Sequence, residues 1–597
     1  MQPVDFTTLA AVCSKLREDW LPARCEQVVQ RDRFTICIAL RTLQGRGWLT
    51  ISWHPQAARI HMGDAPPKVP DTFTFSQQLK HQLGGLALVS INAIAPWERV
   101  LDLQFARRPG DSPQGHLYVE IMGKYSNAIL TNAQQQIVTA AHQVSEQQSS
   151  VRPIQTGDRY QMPPKITQPT PEQHASQSDW QEPISLVPGP LKKRMIQAYG
   201  GLSSALLRSL IQAAHLDPQQ STDSLTATDW GNLFDQWQQW LTQLVTENFQ
   251  PGFTAGGYTV IGVGITEPTD SIQQLLKNYY THHLNQYSFD QWRNQISQKL
   301  KTVLKKLKQK ESTFLERLEQ SEQAEYHRQQ ADLLMAYQHL WQPGMQSITL
   351  EDFETSEPVT IPLKLEKNGV QNAQAFYKQH QKLKRVRQAV APLLNEVRAE
   401  IHYLEQVESA LNQVTVYERP EDLDAIADIR DELIEQGYLS APYQRERNAA
   451  NTQPFQCHHA QTPGGHEVLI GRNNRQNDHL ISKIATDYDL WFHTQEIPGS
   501  HVLLRLNPGD VPDEIDLQCT ANLAAYYSRA RQADQVPVVY TAPKHVYKPK
   551  GARPGMVIYK HEQVLWGQPQ LIHQMLEMLD RKTQPGTPAS PRKTLSV

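Results

Sequence analysis

The sequence predicts an α+β multidomain protein: an α+β N-terminal domain, a helix-hairpin-helix, a long antiparallel coiled-coil arm with a small tip module, and a compact α+β C-terminal domain. Three observations lead there. The 597-residue length exceeds what one hydrophobic core sustains and implies about three to five folding units. Apolar residues step at helical intervals along two long central stretches. Short runs of alternating polarity, bounded by turn residues, fill both ends of the chain.

Composition narrows the function classes. The 39% hydrophobic fraction and 8% aromatics suffice for packed cores, while a mean hydropathy of -0.55 marks much of the length as solvated helix or linker. With 58 basic against 61 acidic residues, net charge -3, no overall field recruits nucleic acid, so any such binding must come from local patches. The five cysteines (Cys13, Cys25, Cys37, Cys457, Cys519) are scattered without a C-x-x-C pair, which fits reduced thiols and argues against disulfides or metal knuckles. The first twenty residues lack a basic n-region and a long apolar core, and no run of about eighteen apolar residues occurs. A soluble cytoplasmic protein with no membrane partner is expected.

Residues 1–165 form the predicted N-terminal domain. Asp5 to Glu18 reads as a helix ended by Pro22, and "FTICIAL", "GWLTISW", "VLDLQF" and "HLYVEIM" read as strands. "SNAILTNAQQQIVTA" is a strand pair around a turn; the Pro-, Gln- and Ser-rich "QMPPKITQPTPEQHASQSDWQEP" is a linker. The helix-hairpin-helix spans 175–265, its signal being "YGGLSSALLRSLIQAAHL", with a Gly-Gly turn and Ser203 as N-cap. Such elements present backbone N–H groups to phosphates, and equally serve as plain helix pairs.

The arm is predicted over 270–430, with a tip module at 343–370. Ile296, Leu300, Val303, Leu307, Phe314 and Leu318 mark its first helix; Leu383, Val386, Val390, Leu393, Val397, Ile401, Leu404 and Leu411 mark the second. The second helix, roughly forty residues, would reach about 60 Å, with Pro392 a candidate kink. Lys299, Lys301, Lys305, Lys306, Lys308 and Lys310 lie in an acid-free run, and Lys378, Lys382, Lys384, Arg385 and Arg387 follow on the second helix. Either a solvated coiled-coil face or a phosphate contact accounts for them.

The C-terminal domain is expected over 453–572, followed by a tail at 573–597. Its segment "DLWFHTQEIPGSHVLLR", Asp489 to Arg505, carries two histidines and a serine. Ser500 and His501 point to opposite faces of an extended chain and cannot pair as nucleophile and base, so no catalytic residue is assigned. His479, His493 and His501 lack compact ligand spacing, so neither a metal nor a cofactor is expected. A strand from Asp489 to Thr494, a type II turn at Pro498 and Gly499, and a returning strand are the expected architecture. A helix, "LQCTANLAAYYSRARQA", and a strand, "VPVVYT", follow. In "PKHVYKPKGARPGMVIY", Lys544, Lys548, Lys550 and Arg553 fall within ten residues without an acid, in a loop shaped by Pro549, Gly551, Pro554 and Gly555. A pre-shaped cationic loop loses less entropy on binding phosphate. "GRNNRQNDHL" adds Arg472, Asn473, Asn474 and Arg475, side chains suited to phosphates, sugars and base edges. Together with His493, Ser500 and His501 on the platform, these are the candidate RNA-binding residues.

At "VLIGRNNRQNDHLISKIATDYDLWFHTQEIPGSHVLLR" and "VVYTAPKHVYKPKGARPGMVIY" the chain resembles the NFACT-R domain of the NFACT family, a group of RqcH- and NEMF-like ribosome quality-control factors once described as fibronectin-binding. "DAPPKVPDTFTFSQQLKHQL", "ERVLDLQF" and "LYVEIMGKYSNAIL" are similar to the family's NFACT-N domain, and the order of domains matches. The resemblance implies a factor that engages the large ribosomal subunit obstructed by peptidyl-tRNA and recruits charged tRNA, alanine tRNA being the family expectation. RqcH-like members support mRNA-independent alanine addition to the stalled chain, the ribosome itself transferring peptide. It also implies a tRNA-handling site at Asp5, Glu98 and Arg99. Glu98 stands where the family pattern has Asp; the extra methylene moves the carboxylate about 1.5 Å, which bears on tail synthesis more than on binding.

Two other classes fit the sequence less well. A fibronectin-binding adhesin or scaffold would call for a secretion signal, which the N-terminus lacks. A DNA-glycosylase-like activity would call for proline directly after the initiator followed by Glu, whereas the chain begins Met1, Gln2, Pro3, Val4. No DNA partner is expected.

Overall fold

A computed structural model of the chain describes residues 1–68, 70–149, 151–440 and 457–572. The predicted tail, 573–597, and the first residues of the predicted C-terminal domain, 453–456, lie outside the described residues. The chain is mixed α+β and divides into two compact units, the first being Met1–Asn285.

The first unit is built on a nine-stranded antiparallel sheet of β1 (Ala23–Asp32), β2 (Thr35–Arg41), β3 (Arg46–Ser52), β4 (Arg59–Gly63), β5 (Ala87–Ala93), β6 (Val100–Ala106), β7 (Gly115–Glu120), β8 (Asn127–Asn132) and β9 (Ile137–Ala140), ordered 4-3-2-1-5-6-7-8-9. Helices α1 (Phe6–Trp20) and α2 (Thr74–Leu83) bury apolar faces in the same core. Burial along β2 does not alternate: Thr35 to Leu40 are all buried, so both sheet faces are covered there. Asp5 caps α1, accepting from the Thr8 amide at 2.8 Å.

Helices α3 (Gln177–Ser185), α4 (Leu191–Ala198), α5 (Ser204–Ala213) and α6 (Ala227–Thr246) follow, with β10 (Gly252–Thr254), β11 (Gly257–Thr259) and β12 (Glu267–Pro268) as a small sheet. The end of the predicted linker is helix α3. Its Trp180 is fully buried against Trp230 and Trp237, so aromatic burial overrode the polar composition of that stretch. These helices share one hydrophobic core with the large sheet.

The second unit begins at Gln286, within α7 (Ile272–Glu322, 51 residues). After α8 (Ala324–Ala336), the hairpin β13 (Ser347–Glu351) and β14 (Pro358–Pro362) supplies the strand pair expected at the tip, packed with Leu333 and Leu334. Helix α9 (Gly369–Gln413, 45 residues) returns antiparallel to α7: Arg293 donates to the Val414 carbonyl, Lys308 pairs with Glu405, and Glu311 with Arg398. The seam differs from the sequence reading at two steps. Leu304 and Leu394 are buried, while Val303 is half-buried and Leu393 is 43% exposed. With 3.6 residues per turn, a strict series of threes and fours drifts around the helix, and the adjacent leucine takes the seam. Helix α10 (Pro420–Glu435) closes the base of the arm.

The C-terminal sheet comprises β15 (His458–Gln461), β16 (Glu467–Ile470), β17 (Leu490–Thr494), β18 (Val502–Leu504), β19 (Val536–Thr541) and β22 (Gln563–Gly567), in the order 15-16-18-17-19-22 and antiparallel throughout. Helix α12 (Glu514–Tyr526) packs on one face around Phe492, Val502 and Val538. On the other face, around Trp491, Leu503 and Val539, lie residues following α11 (Asn474–His479) and the two-stranded hairpin β20 (Val546–Tyr547) and β21 (Ile558–Tyr559).

Candidate nucleic-acid interface

The segment from Asp489 to Arg505 is framework. Its strands pair Trp491 with Leu503 and Phe492 with Val502. Asp489, fully buried, accepts from the amides of Thr486 (2.7 Å) and Leu506 (3.0 Å) and so ties the start of β17 to the end of β18, closing the strand pair opposite its turn. The left-handed residue of the intervening turn is Glu496 (φ 55°), not Gly499 as a type II turn would have it. Gly499 is needed for space: a Cβ there would lie 2.8 Å from Thr494 Oγ1 and 2.9 Å from Ser528 Cβ.

His493, Ser500 and His501 are buried, so the sequence-based expectation that they face RNA meets a closed interior. The His501 ring stands edge-on to Trp491 and His493, at 5.3 and 5.2 Å. Burial pushes His493 down to about 4 and His501 well below its ordinary value, so both are neutral at pH 7. Trp491 Nε1, His493 Nε2 and His501 Nδ1 have no hydrogen-bond partner among the described residues. Ser500 Oγ donates to Gln413 Oε1 at 3.4 Å, toward the base of α9.

The "GRNNR" side chains are claimed by carboxylates of α10. Arg472 pairs with Asp422 at 2.8 Å, with both side chains largely buried. Asn473 donates to Asp428 (3.2 Å), Asn474 to Glu432 (3.0 Å), and Arg475 pairs with Glu435 at 2.6 Å. Burial would raise the Asp422 carboxyl, but the Arg419 and Glu418 amides and the Arg472 guanidinium hold it below its usual value. Burial raises Glu432 despite hydrogen bonds from Asn474 and Tyr403. This segment therefore docks the sheet onto the arm's base, a role its basic and amide composition does not distinguish from nucleic-acid reading.

The stretch from Lys544 through the loop between β20 and β21 divides its cations. Arg553 stacks over Tyr403 (5.0 Å) and donates to Tyr438 Oη at 2.6 Å, so it is held inside the unit. Lys548 pairs with Asp478 while remaining 41% exposed. Lys544 and Lys550 are exposed and make no ion pair among the described residues. The loop is pinned where Gly555 (φ 76°) donates to Asp478 Oδ1 at 3.1 Å; a Cβ there would lie 2.5 Å from Asn474 Oδ1. Sequence reading missed Tyr547, on β20, and Lys560, directly after β21. Tyr547 is 48% exposed, and its neighbour across the hairpin, Ile558, is 55% exposed. The signal was an aromatic residue interleaved with lysines in "VYKPK". Exposed cations around an accessible ring suit a phosphate backbone with stacked bases.

In the first unit, Asp5 accepts from Ser203 Oγ at 2.5 Å as well as from Thr8, joining the caps of α1 and α5. Glu98 accepts from the Ile166 amide at 3.3 Å; Arg99 reaches the Val4 carbonyl at 3.5 Å and lines a cavity of 330 Å³ with Pro3, Gln56 and Gly123. No ion pair joins Glu98, Arg99 and Asp5 among the described residues. Between the packed Trp97 (φ 66°, 4.8 Å from Phe6) and Val4, the backbone brings the three into one neighbourhood. Among the described residues no cluster of three His, Cys, Asp or Glu could hold a metal ion, and no helix is long and apolar enough to cross a membrane.

Residues 5–452 match the family model described as NFACT N-terminal and middle domains, and residues 456–561 match that of the NFACT protein RNA binding domain. The chain is 29% identical over 562 residues to the Rqc2 homolog RqcH of Streptococcus suis (strain 05ZYH33), covering 92% of this chain and 95% of that protein. To the Rqc2 homolog RqcH of Bacillus subtilis (strain 168) it is 28% identical over 561 residues, covering 93% and 96%. Among solved structures, the C-terminal part of the fibronectin/fibrinogen-binding protein from Streptococcus suis aligns with 30% identity and a TM-score of 0.36, covering 47% of this chain and 95% of that one.

Proposed function

Because this chain belongs to the NFACT family, we propose that it is a ribosome-associated quality-control factor, acting in the cytoplasm, that binds RNA through the exposed lysines of the β20–β21 hairpin. On this reading it engages the large ribosomal subunit obstructed by peptidyl-tRNA and recruits tRNA, with the ribosome carrying out peptide transfer. The observation that carries it is the sorting of cations in the segment that matches an RNA-binding domain: Arg472, Arg475 and Arg553 are engaged within the unit, while Lys544, Lys548 and Lys550 stay exposed around Tyr547. The acid-free lysine run of α7 supports a second contact. Lys299, Lys301, Lys305 and Lys306 are exposed and form no ion pair among the described residues, whereas Lys308 is paired with Glu405. Asp5, Glu98 and Arg99 are proposed to handle tRNA in the first unit, alanine tRNA if tailing operates.

Cosedimentation with large subunits tests the reading. The intact protein should pellet with subunits carrying peptidyl-tRNA, and the variant with Lys544, Lys548 and Lys550 all changed to Glu should not. Undiminished pelleting of that variant removes the hairpin as the contact. Glu98→Asp addresses tailing: if the longer side chain limits it, the variant adds more C-terminal alanine in a reconstituted stalled-subunit assay, with binding unchanged.

A further inference from the structure

A second cluster of cationic groups lies in the first unit and involves none of Asp5, Glu98 and Arg99. The N-terminal segment, the start of α5, the β10–β11 turn and the first part of α7 enclose an open cleft of 730 Å³. Its lining includes Arg208 from α5 and Asn278, His282 and His283 from α7, and contains no aspartate or glutamate. Arg208 is exposed and makes no ion pair among the described residues. Ser204 and Ala205, the first two residues of α5, also line the cleft, and their backbone N–H groups donate to no partner among the described bonds, since Ser203 Oγ accepts from the Leu206 amide. His283 packs against Tyr279 at 4.4 Å and against His282 at 5.5 Å, which fixes the ring at the wall. On this surface a guanidinium, two imidazoles, a carboxamide and two helix-start amides converge with no competing anion, a donor set that matches a tetrahedral oxyanion.

We infer that this cleft is a phosphate-binding site, taking a phosphate group that is either free or part of an RNA backbone. Arg208 supplies the permanent charge and a forked donor; His283 supplies charge that depends on pH. The groups facing the cleft are the Met1 amino group, Arg208, Tyr279, His282 and His283, and the β10–β11 turn adds none. Burial, then His282 and the chain's amino group, lower the proton affinity of His283, so a bound anion must draw a proton onto it. Affinity for a tetrahedral anion of fixed charge, such as sulfate, therefore rises as pH falls through the histidine range.

Modification of His282 and His283 by diethyl pyrocarbonate in the full chain, read by peptide mass spectrometry, tests this without ribosomes. Inorganic phosphate at three times its dissociation constant should slow modification at both residues about fourfold by mass action. A stem-loop RNA forms the second arm, measured also in the protein with Lys544, Lys548 and Lys550 changed to Glu, so that loss of the hairpin contact is not mistaken for loss of this one. Protection by phosphate alone assigns a free anion; protection by the RNA assigns a backbone phosphate. Arg208→Ala, at an exposed position, should abolish protection in either arm. Modification rates indifferent to both probes, or protection that survives Arg208→Ala, overturn the site. Affinity for sulfate, a dianion of constant charge from pH 7.5 to 6, that does not change over that range removes His283 from it.

Discussion

Two basic segments of the second unit look alike in sequence and differ in what they do. Arg472 to Arg475 and Lys544 to Arg553 both concentrate cations near prolines, glycines or amides, and both suit a polyanion. In the first, every candidate side chain meets a carboxylate of α10. In the second, only Arg553 is drawn inside, and the lysines remain at the surface. Charge counted in a sequence window is not charge available to a partner, because an amphipathic acidic helix elsewhere in the chain can claim it first. Arginine, with a planar fork suited to carboxylates and aromatic faces, is the residue held by partners within the unit at three positions; lysine, strongly hydrated, stays out.

The sharpest way to break this contrast is Arg472→Ala. It leaves Asp422 largely buried without its guanidinium, and removing one partner of such a pair costs about 3 to 5 kcal/mol. Urea unfolding followed by the fluorescence of the buried Trp491 should show a large drop in midpoint, while RNA affinity under folded conditions stays as it was. Unchanged stability with lost RNA affinity would reverse the assignment of the two segments.

Acid should strain the docked framework next. His493 and His501 fold in the neutral form, and His458 is likewise pushed down to about 4 by burial. Each is a base whose folded proton affinity is below its unfolded one, so below about pH 6.5 the unfolded chain binds more protons and stability is lost as pH falls toward 4. For His493 alone the loss is about 3 kcal/mol across that window, from a displacement of roughly 2.5 pH units at 1.36 kcal/mol each. His493→Gln should lower stability at neutral pH yet flatten the profile between pH 6.5 and 4. A profile as steep as that of the unmodified protein would place the sensitive group elsewhere.

Reversing Lys544, Lys548 and Lys550 should do the opposite of Arg472→Ala. Three phosphate contacts on single-stranded RNA give a slope of log affinity against log salt of about -2, which should fall to near zero in the variant. Stability should hold within about 1 kcal/mol, because the one pair lost, Lys548 with Asp478, is solvent-exposed.

These outcomes also measure what the sequence carries. The α+β class, the paired long helices and the strand pair at the tip were legible because each rests on local periodicity. Leu394 in place of Leu393, and the helix around Trp180 in place of a linker, were not, since each depends on which neighbour is across the seam or in the aromatic cluster. The same holds for function. The loop lysines were legible as an acid-free run, whereas Asn473 and Asn474 bond carboxylates of α10 more than forty residues away, a pairing that no local window contains. Arg208, His282 and His283 escaped notice because more than seventy residues separate the arginine from the histidines that share its cleft.

The smallest expected effect separates a charged surface from a shaped one. Tyr547 is half exposed between Lys544 and Lys548, on a strand whose register with Tyr559 and Ile558 fixes the ring's height above the hairpin. If RNA is held by charge alone, Tyr547→Ala changes nothing. If a base stacks on the ring, the variant loses about 1 kcal/mol of affinity for a single-stranded oligonucleotide, roughly fivefold, and little for a duplex whose bases are already stacked. Tyr547→Phe should retain binding, because stacking needs the ring face and not the hydroxyl. The salt slope should be the same in all three proteins, since no phosphate contact is removed. A changed slope in Tyr547→Ala would mean that the ring positions the neighbouring lysines rather than touching RNA.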